Sequence, residues 1–385
     1  MSLGIYIQVP FCQTKCTYCN FHTGVVARER YQPYADAVCR EISEGREFQG
    51  EIVDTIYVGG GTPSLLDPAA LAKILDVLRE KYRVEAAAEA TLEADPETID
   101  AKKAAAWSAA GFNRISMGVQ SFHDNELRAA GRIHRRTDIF RATETLRAAG
   151  LQNVSIDLIA GLPHQTRKSW ESSIDELLAI CPEHVSIYLL EIDEGSRLGR
   201  ESLAGGPRYG AATIPSDDDQ AEFYESACER LAAAGYEHYE ISNWALPAKR
   251  SRHNLKYWRR EPYLGFGAGA HSFDGATRWA NVHDSTRYVK MITIGGSTRE
   301  QVEPVTPEQA LDEEIFLGLR QLEGIDLDVI AARSNGEFSR RGTKLREGIR
   351  RLEVEGFVET AGSRVRLAPS RLTVSNEVFV ALLNG

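Results

Sequence analysis

The sequence predicts an α/β fold in which helices flank a parallel sheet. Three observations support this prediction. Six apolar runs along residues 5–190 each precede a segment with the 3.6-residue spacing of a helix face. Polar or glycine-rich residues follow these runs, and the rhythm stops near residue 236. Because strands that alternate with helices are joined by crossovers, we expect parallel strands with the helices outside.

Six strands and the helices between them can be placed from the residue pattern. The strands are expected over 5–9, 53–58, 86–92, 114–119, 154–159 and 185–190. Helices are expected over about 31–46, from Pro68 and Pro96 onward, between 120 and 154, and over 168–180 and 218–234. Asp67 before Pro68 is a typical N-cap followed by proline at the first helical position. Gly235 should stop the last helix, and the glycine-rich stretch 195–213 should form a lid or an insertion.

Composition and charge are typical of a globular protein. Of 385 residues, 43% are hydrophobic and 26% charged, which predicts one large and one small domain. The net charge of −10 argues against nucleic acid or an anionic membrane as the main partner. No run approaches the roughly 20 apolar residues of a membrane span, and residues 1–4 lack a signal-peptide pattern. Cys39, Cys181 and Cys228 are isolated and expected to be buried, reduced thiols, which predicts a cytoplasmic protein.

Three of the six cysteines lie together just after the first strand. Cys12, Cys16 and Cys19 have the spacing C-x3-C-x2-C on the loop that begins at Pro10. Clustered thiolates are soft ligands that favour an iron–sulfur cluster or zinc. A structural zinc site takes four protein ligands, and His22 could be the fourth. Three cysteines instead suit a [4Fe-4S] cluster whose fourth iron is left open for a small molecule, which is the interpretation we prefer.

The cysteine spacing, with Tyr18 before the last cysteine, resembles that of the radical S-adenosylmethionine (SAM) superfamily. The motif follows a strand near the start of an α/β pattern, as it does in that superfamily. Six strand–helix units are too few for a closed (β/α)8 barrel. The resemblance therefore implies an open (β/α)6 three-quarter barrel that holds a [4Fe-4S] cluster and SAM, and an electron donor that reduces the cluster.

Residues at the strand ends are placed to meet SAM, because barrel active sites form at that edge. Gly60, Gly61 and Thr62 end the strand beside the cysteine loop, where glycine permits close approach of the backbone to a ligand. Ribose hydroxyls favour carboxylate or amide acceptors. Candidates near later strand ends are Glu93, Gln120 and Asp157, with Arg132 in the next helix. Each could instead be a helix cap or a surface ion pair, although a buried, unpaired Asp157 would be costly.

The remainder of the chain suggests two further units. Residues 237–295 carry histidine-rich and aromatic motifs, and residues 296–385 contain two apolar helix faces followed by an expected hairpin at 358–367. Helices followed by a hairpin resemble a winged helix, but DNA binding needs a basic face and the charges here are mixed. We therefore expect a radical SAM core over 1–236, an extension over 237–295 and a small winged-helix-like α+β domain over 296–385.

Longer motifs begin at Tyr6, Gly59, Glu93, Ser116, Asp157 and Tyr263. These motifs resemble those of one branch of that superfamily in porphyrin biosynthesis, the oxygen-independent coproporphyrinogen III oxidases and related heme chaperones. By this resemblance the cluster ligands are Cys12, Cys16 and Cys19. It also assigns SAM contacts to Tyr6, Gly60, Gly61, Thr62, Glu93, Gln120, Arg132 and Asp157, and places Tyr18 near the adenine.

Two features resemble the heme-chaperone side of the branch. Phe21 stands where the oxidase has a fourth cysteine, and only eleven residues precede Cys12, whereas the oxidase has a longer N-terminal extension. The chaperones carry His-Asn-x-x-Tyr-Trp, matched here by residues 253–258. Asn20 replaces a usual aspartate and His164 replaces a common glycine, and neither change removes a cluster ligand.

The resemblance implies that the protein binds heme and delivers it to an acceptor protein. Imidazole ligates heme iron, and tyrosine and tryptophan offer aromatic surface to a porphyrin. His253 is therefore the candidate heme ligand, with His271 and His238 as lesser candidates. From the residues alone, we favour the interpretation that His253 only forms hydrogen bonds within a packed hairpin.

Two other functions remain open from the sequence. One is oxidative decarboxylation of coproporphyrinogen III to protoporphyrinogen IX through a radical formed from SAM. Because Phe21 replaces the fourth cysteine, we expect no such turnover and assign no catalytic residue. The other is a zinc-held, winged-helix regulator. Fold alone does not distinguish these functions.

Overall fold

The computed structural model describes residues 2–334 and 336–383. Within them the strands β1 to β15 are Leu3–Val9, Ile52–Gly60, Arg83–Ala94, Arg114–Gln120, Asn153–Ala160, His184–Leu189, Glu237–Glu240, Asn243–Ala245, Tyr263–Phe266, His271–Phe273, Thr277–Asn281, Arg299–Pro304, Ile325–Asp326, Val358–Ala361 and Arg364–Leu367. The helices α1 to α14 are Tyr31–Glu44, Pro68–Lys81, Ala101–Ala110, Asp124–Ala129, Arg136–Ala148, Arg167–Ile180, Arg197–Leu203, Asp217–Ala233, Arg252–Trp258, Ser285–Thr293, Pro307–Arg320, Leu327–Arg333, Glu337–Val354 and Ser375–Leu383. Short 3-10 helices occupy Arg28–Arg30, Pro63–Leu65, Pro96–Thr98, Arg208–Thr213 and Pro369–Val374.

One twelve-stranded sheet dominates the structure, in the order β12-β11-β10-β9-β1-β2-β3-β4-β5-β6-β8-β7. Its middle part, β1 to β6, contains the six predicted strands, all parallel and joined by helices. A seventh parallel strand, β9, pairs with β1, which the sequence pattern did not indicate because β9 has only four residues and lies outside the strand–helix repeats. The antiparallel hairpin β7–β8 extends the other edge.

Side chains on the parallel strands alternate between two faces, as the two-residue period of a strand requires. On β1, Ile5 and Ile7 are completely buried in the core formed with the outer helices. Tyr6 lies between them on the opposite face and stacks with Tyr57 of β2, 6.0 Å between ring centroids. Residues at the ends of β2 to β6 border a single cavity, so these strands curve around a common centre. The predicted α/β fold with an open barrel is confirmed.

Helix boundaries follow local sequence signals. Asp67 caps α2 by accepting a hydrogen bond from the Ala69 N–H, and Pro68 takes the first helical position, as predicted. Gly235 follows α8 with a φ of +85°, a left-handed conformation that suits glycine at a helix end. None of the described helices is both long and apolar enough to cross a lipid bilayer.

The stretch 195–213, expected to be a lid or an insertion, is folded rather than a plain glycine-rich loop. It contains α7 and a 3-10 helix, and it contacts the cysteine loop, where the Leu198 N–H donates a hydrogen bond to the Thr17 carbonyl at 2.7 Å. The expectation that the isolated cysteines are buried is wrong for Cys181, which ends α6 with a φ of +52° and is exposed. Cys39 is buried and Cys228 is half-buried.

The last part of the chain forms a small α+β unit. β13, β15 and β14 make a three-stranded antiparallel sheet in that order, next to α11, α12 and α13. The hairpin of β14 and β15 turns at Gly362, whose φ is +65°. The predicted helices followed by a hairpin are therefore present.

Candidate cofactor site

The cysteine loop is attached to the barrel by backbone hydrogen bonds. The Cys12 N–H donates to the Gly24 carbonyl at 3.0 Å, and the Gly24 N–H donates to the Pro10 carbonyl at 2.9 Å, which closes the loop at its base. The Thr62 N–H, after β2, donates to the Phe11 carbonyl at 2.6 Å. The loop is thus fixed at the carboxyl ends of β1 and β2.

The loop borders a cavity of about 640 Å³ at the mouth of the barrel, within the size range of small-molecule sites. Most of the predicted site residues line it: Cys12, Cys16, Cys19, Tyr18, Gly60, Gly61, Thr62, Glu93, Gln120, Arg132 and Asp157. They come from distant parts of the chain and meet because parallel strands bring their carboxyl ends to one edge. Tyr6 and His253 are the two predicted residues that do not line the cavity.

Two glycines leave no room for side chains beside the cysteine loop. A Cβ on Gly61 would lie 2.4 Å from the Phe11 carbonyl oxygen and 2.9 Å from Cys12 Sγ. Gly60 has a φ of +120°, which L side chains rarely adopt, and its Cβ would lie 2.7 Å from Gln8 Nε2. The glycines therefore allow the chain after β2 to approach the cysteine loop closely.

Glu93, at the end of β3, lies against this glycine turn. It accepts hydrogen bonds from Tyr57 Oη at 2.8 Å and from the Gly60 N–H at 2.8 Å. Burial raises the pKa of Glu93 to about 7, and the nearby carboxylates of Asp157 and Asp95 act in the same direction. Because desolvation disfavours the anion, Glu93 would gain from a cationic ligand group in the cavity.

Asp157, on β5, is held by hydroxyl groups. Ser116 Oγ lies 3.3 Å from one carboxylate oxygen and Ser155 Oγ lies 3.4 Å from the other. Burial raises the pKa of Asp157, while hydrogen bonds and the charge of Arg114 oppose that shift. Asp157 is therefore neither a helix cap nor a surface ion pair.

Arg132 ties the cysteine loop to β3 and β4. It pairs with Asp95, donates to the Gly118 carbonyl at 2.6 Å, and its Nη1 lies 3.5 Å from Cys16 Sγ. Asp95 also accepts from Thr62 Oγ1 at 3.0 Å. The sequence did not indicate Asp95 as a site residue, because an Asp-Pro pair before a helix is typical of a helix N-cap. Its Oδ atoms instead bind Arg132 and Thr62.

Gln120 ends β4 in an unusual conformation. Its φ of +67° is rare for a residue other than glycine, and the pairing of β4 with β5 shifts register between Gly118 and Gln120. Strained backbone of this kind is often found at functional sites. Tyr18, half-buried across the cavity, packs against a small apolar cluster that includes Ile159 and Leu162.

Tyr6 and His253 lie deeper in the barrel. Tyr6 donates to Gln8 Oε1 at 2.7 Å, and its ring centroid is 6.3 Å from that of His253. His253 is on α9 rather than in the expected hairpin and is only 1% exposed. Its Nδ1 lies 2.9 Å from Thr55 Oγ1 and its Nε2 lies 2.9 Å from Tyr257 Oη. Both ring nitrogens thus have protein partners, so heme ligation by His253 stays a prediction that requires the ring to leave them.

The other histidine candidates lie in different places. His238, on β7, stacks on Trp244 with 4.1 Å between ring centroids, and burial lowers its pKa to about 4. His271, on β10, is exposed and lies 6.5 Å from His283. His22 packs against His283 at 4.7 Å and is not among the described residues that border the cavity.

The three cysteines lie on one loop, and their thiolates are the donor set of an iron–sulfur cluster. Among the described residues, no three His, Cys, Asp or Glu side chains converge closely enough to hold one metal ion. A cubane cluster does not require convergence on one point, because each thiolate binds a different iron. The loop also presents Cys12 Sγ directly beside Gly61, where a side chain would collide with it. These residues could therefore hold a [4Fe-4S] cluster.

Several cavity residues carried no sequence signal. Ile241 and Ser242 follow β7, and Arg320 ends α11. The C-terminal segment contributes Leu372, Thr373, Ser375 and Asn376. Their side chains join the cavity only because the C-terminal unit packs beside the barrel mouth. No motif or spacing in the sequence could have indicated this arrangement.

The chain is similar to known families and to a solved structure. A family model of the radical SAM superfamily matches residues 6–177, and a model of the HemN C-terminal domain matches residues 305–370. The solved structure of coproporphyrinogen III oxidase (HemN) from Escherichia coli, a radical SAM enzyme, has a TM-score of 0.86 at 23% identity and covers 99% of this chain and 90% of its own. At this identity the similarity establishes the fold.

Curated relatives are more similar in sequence. Heme chaperone HemW of Bacillus subtilis (strain 168) is 34% identical over 385 residues, which cover 98% of each chain. Heme chaperone HemW of Escherichia coli (strain K12) is 36% identical over 271 residues, 70% of this chain and 69% of that one. The chain therefore belongs to the HemW family of the radical SAM superfamily.

Proposed function

We propose that this protein is a heme chaperone, which holds a SAM-ligated [4Fe-4S] cluster at the barrel mouth and delivers heme to an acceptor protein. The observation that carries the proposal is the similarity to HemW relatives along the whole chain, together with Phe21 in place of a fourth cysteine. Phe21 is 68% exposed at the rim of the cavity, where an apolar side chain favours contact with an apolar ligand.

Cys12, Cys16 and Cys19 would hold the cluster, with SAM at the iron that they leave open. When bound, the cluster would take one electron at a time from a donor protein. The residues of the barrel mouth bind and orient SAM. Gly60, Gly61 and Thr62 would border its methionine part, and Glu93 would accept a hydrogen bond from its ammonium group because it lies against the same turn.

The remaining polar residues of the cavity would bind the nucleoside. Gln120 and Asp157 would accept hydrogen bonds from the ribose, and Tyr18 would lie against the adenine. Arg132 holds the loop that carries Cys16 in place. Tyr6 donates a hydrogen bond to the side chain of Gln8, and the Gln8 amide in turn lies beside Gly60. A direct Tyr6 contact with SAM remains a prediction.

We also propose the three-part organisation 1–236, 237–295 and 296–385, and a cytoplasmic location. The middle part contributes β7 to β11 to the main sheet, which supports its description as an extension of the barrel. All six cysteines are free thiols, which suits a reducing compartment.

Two assays on the same anaerobically reconstituted protein test the proposed function. Hemin titration should give a saturable Soret band that approaches one heme per chain. Incubation with SAM, a reductant and coproporphyrinogen III should yield no protoporphyrinogen IX. Failure to bind hemin together with decarboxylase turnover would show that the protein is an oxidase instead.

A further inference from the structure

We propose that His184 and Tyr239 act through Ser155 to keep Asp157 a hydrogen-bond acceptor for the ribose of SAM. They are positioning residues, because neither is among the described residues that border the cavity. The inference rests on the proposed SAM site, in which Asp157 binds the ribose, and it extends that site into the barrel interior.

A buried network, consisting of Ser155, His184 and Tyr239, leads from Asp157 into the barrel. Ser155 Oγ lies 3.4 Å from Asp157 Oδ1, and both residues are on β5. Ser155 Oγ also lies 2.8 Å from His184 Nδ1, because Ser155 and His184 are paired in the register of β5 and β6. His184 Nε2 is in turn 2.8 Å from Tyr239 Oη on β7. Ser155 and His184 are completely buried and Tyr239 is 2% exposed, so bulk water does not compete for these contacts.

The backbone at Ser251 fixes the direction of the hydrogen bonds in this network. The Ser251 N–H donates to Tyr239 Oη at 3.3 Å, and an N–H can only donate. In the described part of the chain, the hydroxyl proton of Tyr239 therefore has one acceptor, His184 Nε2. A neutral imidazole that accepts at Nε2 carries its proton on Nδ1, so His184 donates to Ser155 Oγ. The hydroxyl proton of Ser155 is then directed to Asp157.

This direction requires a neutral His184. Burial lowers the pKa of His184 well below its usual value, and the charge of Arg114 acts in the same direction. A doubly protonated His184 would donate from both ring nitrogens, and Tyr239 would lose its acceptor. Hydrogen bonds donated to a carboxylate favour its ionised form. An ionised Asp157 only accepts, which is the role that acidic residues have toward ribose hydroxyls in nucleotide sites.

Several groups besides the network influence the ionisation of Asp157. The other charged or titratable side chains that face it are Tyr57 on β2, Glu93 on β3, Arg114 on β4 and Tyr188 on β6. Arg114 lowers the pKa of Asp157, Glu93 is a like charge, and burial raises the pKa of both tyrosines, which keeps them neutral. Burial also raises the pKa of Asp157 itself. Asp157 therefore depends on hydrogen-bond donors to stay ionised, and the loss of one donor should raise its pKa further.

Tyr239→Phe tests the network, and Tyr236→Phe is the matched control. The Tyr236 hydroxyl is also buried, but it donates to the Pro182 carbonyl at 2.6 Å, outside the network. SAM binding to the anaerobically reconstituted proteins is measured by calorimetry between about pH 5 and 8. Iron content is measured at each pH, so that cluster loss is not mistaken for lost affinity.

The expected result is a shift in the pH dependence of SAM binding. Without the Tyr239 hydroxyl, Ser155 can donate to His184 Nδ1 instead of Asp157, so Asp157 takes up a proton at higher pH. The pH at which SAM affinity is half lost should rise by about one unit in Tyr239→Phe, which corresponds to about tenfold weaker binding on the acidic side. Wild type and Tyr236→Phe should share one profile. Glu93 titrates in all of these proteins, so the difference between the profiles isolates Asp157.

Ser155→Ala breaks the network at its last contact and removes only one hydroxyl group. It should give the same shift, and it carries the test if Tyr239→Phe does not fold. The double variant Tyr239→Phe/Ser155→Ala should bind SAM as Ser155→Ala does, because residues that act through one another have effects that do not add.

The outcomes separate the network from the SAM site. If wild type binds SAM and Tyr239→Phe keeps the profile of Tyr236→Phe, the network is overturned while the SAM site stands. A loss of affinity that is equal at every pH, or effects of Tyr239→Phe and Ser155→Ala that add in the double variant, would also overturn it. If wild type does not bind SAM, the proposed SAM site fails and the inference fails with it.

Discussion

Single residues inside the barrel show how burial sets ionisation. Burial raises the pKa of Glu93 to about 7 and lowers the pKa of His253 to about 3. Both shifts favour the uncharged form, because the barrel interior solvates charge poorly. Stability should therefore depend on pH in opposite ways through these two groups.

The Glu93→Gln variant should change the pH dependence of stability in the SAM-free protein. The folded-state pKa of Glu93 lies above its ordinary value of 4.5, so its contribution to stability is fully present below pH 4.5 and is lost as pH rises through about 7. Between pH 4.5 and about 7 we expect wild type to lose about 2 kcal/mol of its free energy of unfolding through Glu93. This is less than the whole pKa shift would give, since Glu93 borders the cavity and is partly solvated there. Urea unfolding of wild type and variant between these pH values measures the difference.

SAM binding by the same variant provides an independent measurement. If Glu93 binds the SAM ammonium group, Glu93→Gln should weaken SAM binding, which calorimetry would detect. Parallel stability curves for wild type and Glu93→Gln from pH 4.5 to 8 would contradict the assigned pKa.

The His253→Ala variant should be strongly destabilised. It leaves Thr55 Oγ1 and Tyr257 Oη without their partner and opens a cavity in the barrel, which we expect to lower the free energy of unfolding by about 2–4 kcal/mol. Because the pKa of His253 is depressed, wild type should also lose stability as pH falls from 6.5 toward 3, and the variant should lose less.

His22→Ala, at an exposed site, should change stability by under about 0.5 kcal/mol. If His253→Ala and His22→Ala lower the free energy of urea unfolding by the same amount, the contacts of His253 do not stabilise the barrel.

At the scale of elements, close contact between the cysteine loop and the segment after β2 shapes the cofactor site. Gly61 and Thr62 donate backbone hydrogen bonds to the Val9 and Phe11 carbonyls at 2.8 and 2.6 Å. Cys12 follows Phe11 directly, so its position depends on this backbone contact.

Gly61→Ala should displace the cysteine loop. Its Cβ would meet backbone atoms of Phe11, which cannot move as a flexible side chain could. We expect the variant to retain less iron and sulfide per chain after anaerobic reconstitution. Gly24→Ala is the matched control in the same loop, because nothing lies within 4 Å of its Cβ. Equal cluster content in the two variants would show that the contact at Gly61 does not position the cysteines.

At the scale of the whole molecule, the C-terminal unit is joined to the edge of the barrel. The Ile241 N–H donates to the Arg320 carbonyl and the Leu322 N–H donates to the Tyr239 carbonyl, both at 3.1 Å. Arg320 also lies 3.5 Å from the fully buried Glu240 and 4.4 Å from the Trp258 ring centroid. This contact closes one side of the cavity.

Arg320→Ala should loosen the attachment. It leaves the buried carboxylate of Glu240 without its cation, which we expect to lower the free energy of unfolding by about 2 kcal/mol or more. Denaturation monitored by calorimetry should then separate into two transitions. Arg371→Ala removes an exposed arginine that covers the Phe357 ring at 4.9 Å and should leave a single transition. Identical unfolding of both variants would argue against a role for Arg320 in joining the two units.

Local patterns predicted much of the core. Apolar runs indicated β1 to β6, and Asp67–Pro68 indicated the start of α2, because strand burial and helix capping depend on neighbouring residues. β9 was missed because four residues contain too little periodicity to be recognised. The position of His253 on a buried helix and the pairing of Asp95 with Arg132 also depend on contacts between distant segments.

The sequence by itself determined the α/β architecture, the three-cysteine motif and membership of the family, since these depend on residue type and spacing along the chain. Only the tertiary structure decided that both ring nitrogens of His253 are occupied, that Asp95 binds Arg132, that His22 meets His283, and that the C-terminal unit borders the cavity. The physical reason is that burial and most of these contacts depend on segments tens to hundreds of residues apart, and chain spacing carries no information about which of them will touch.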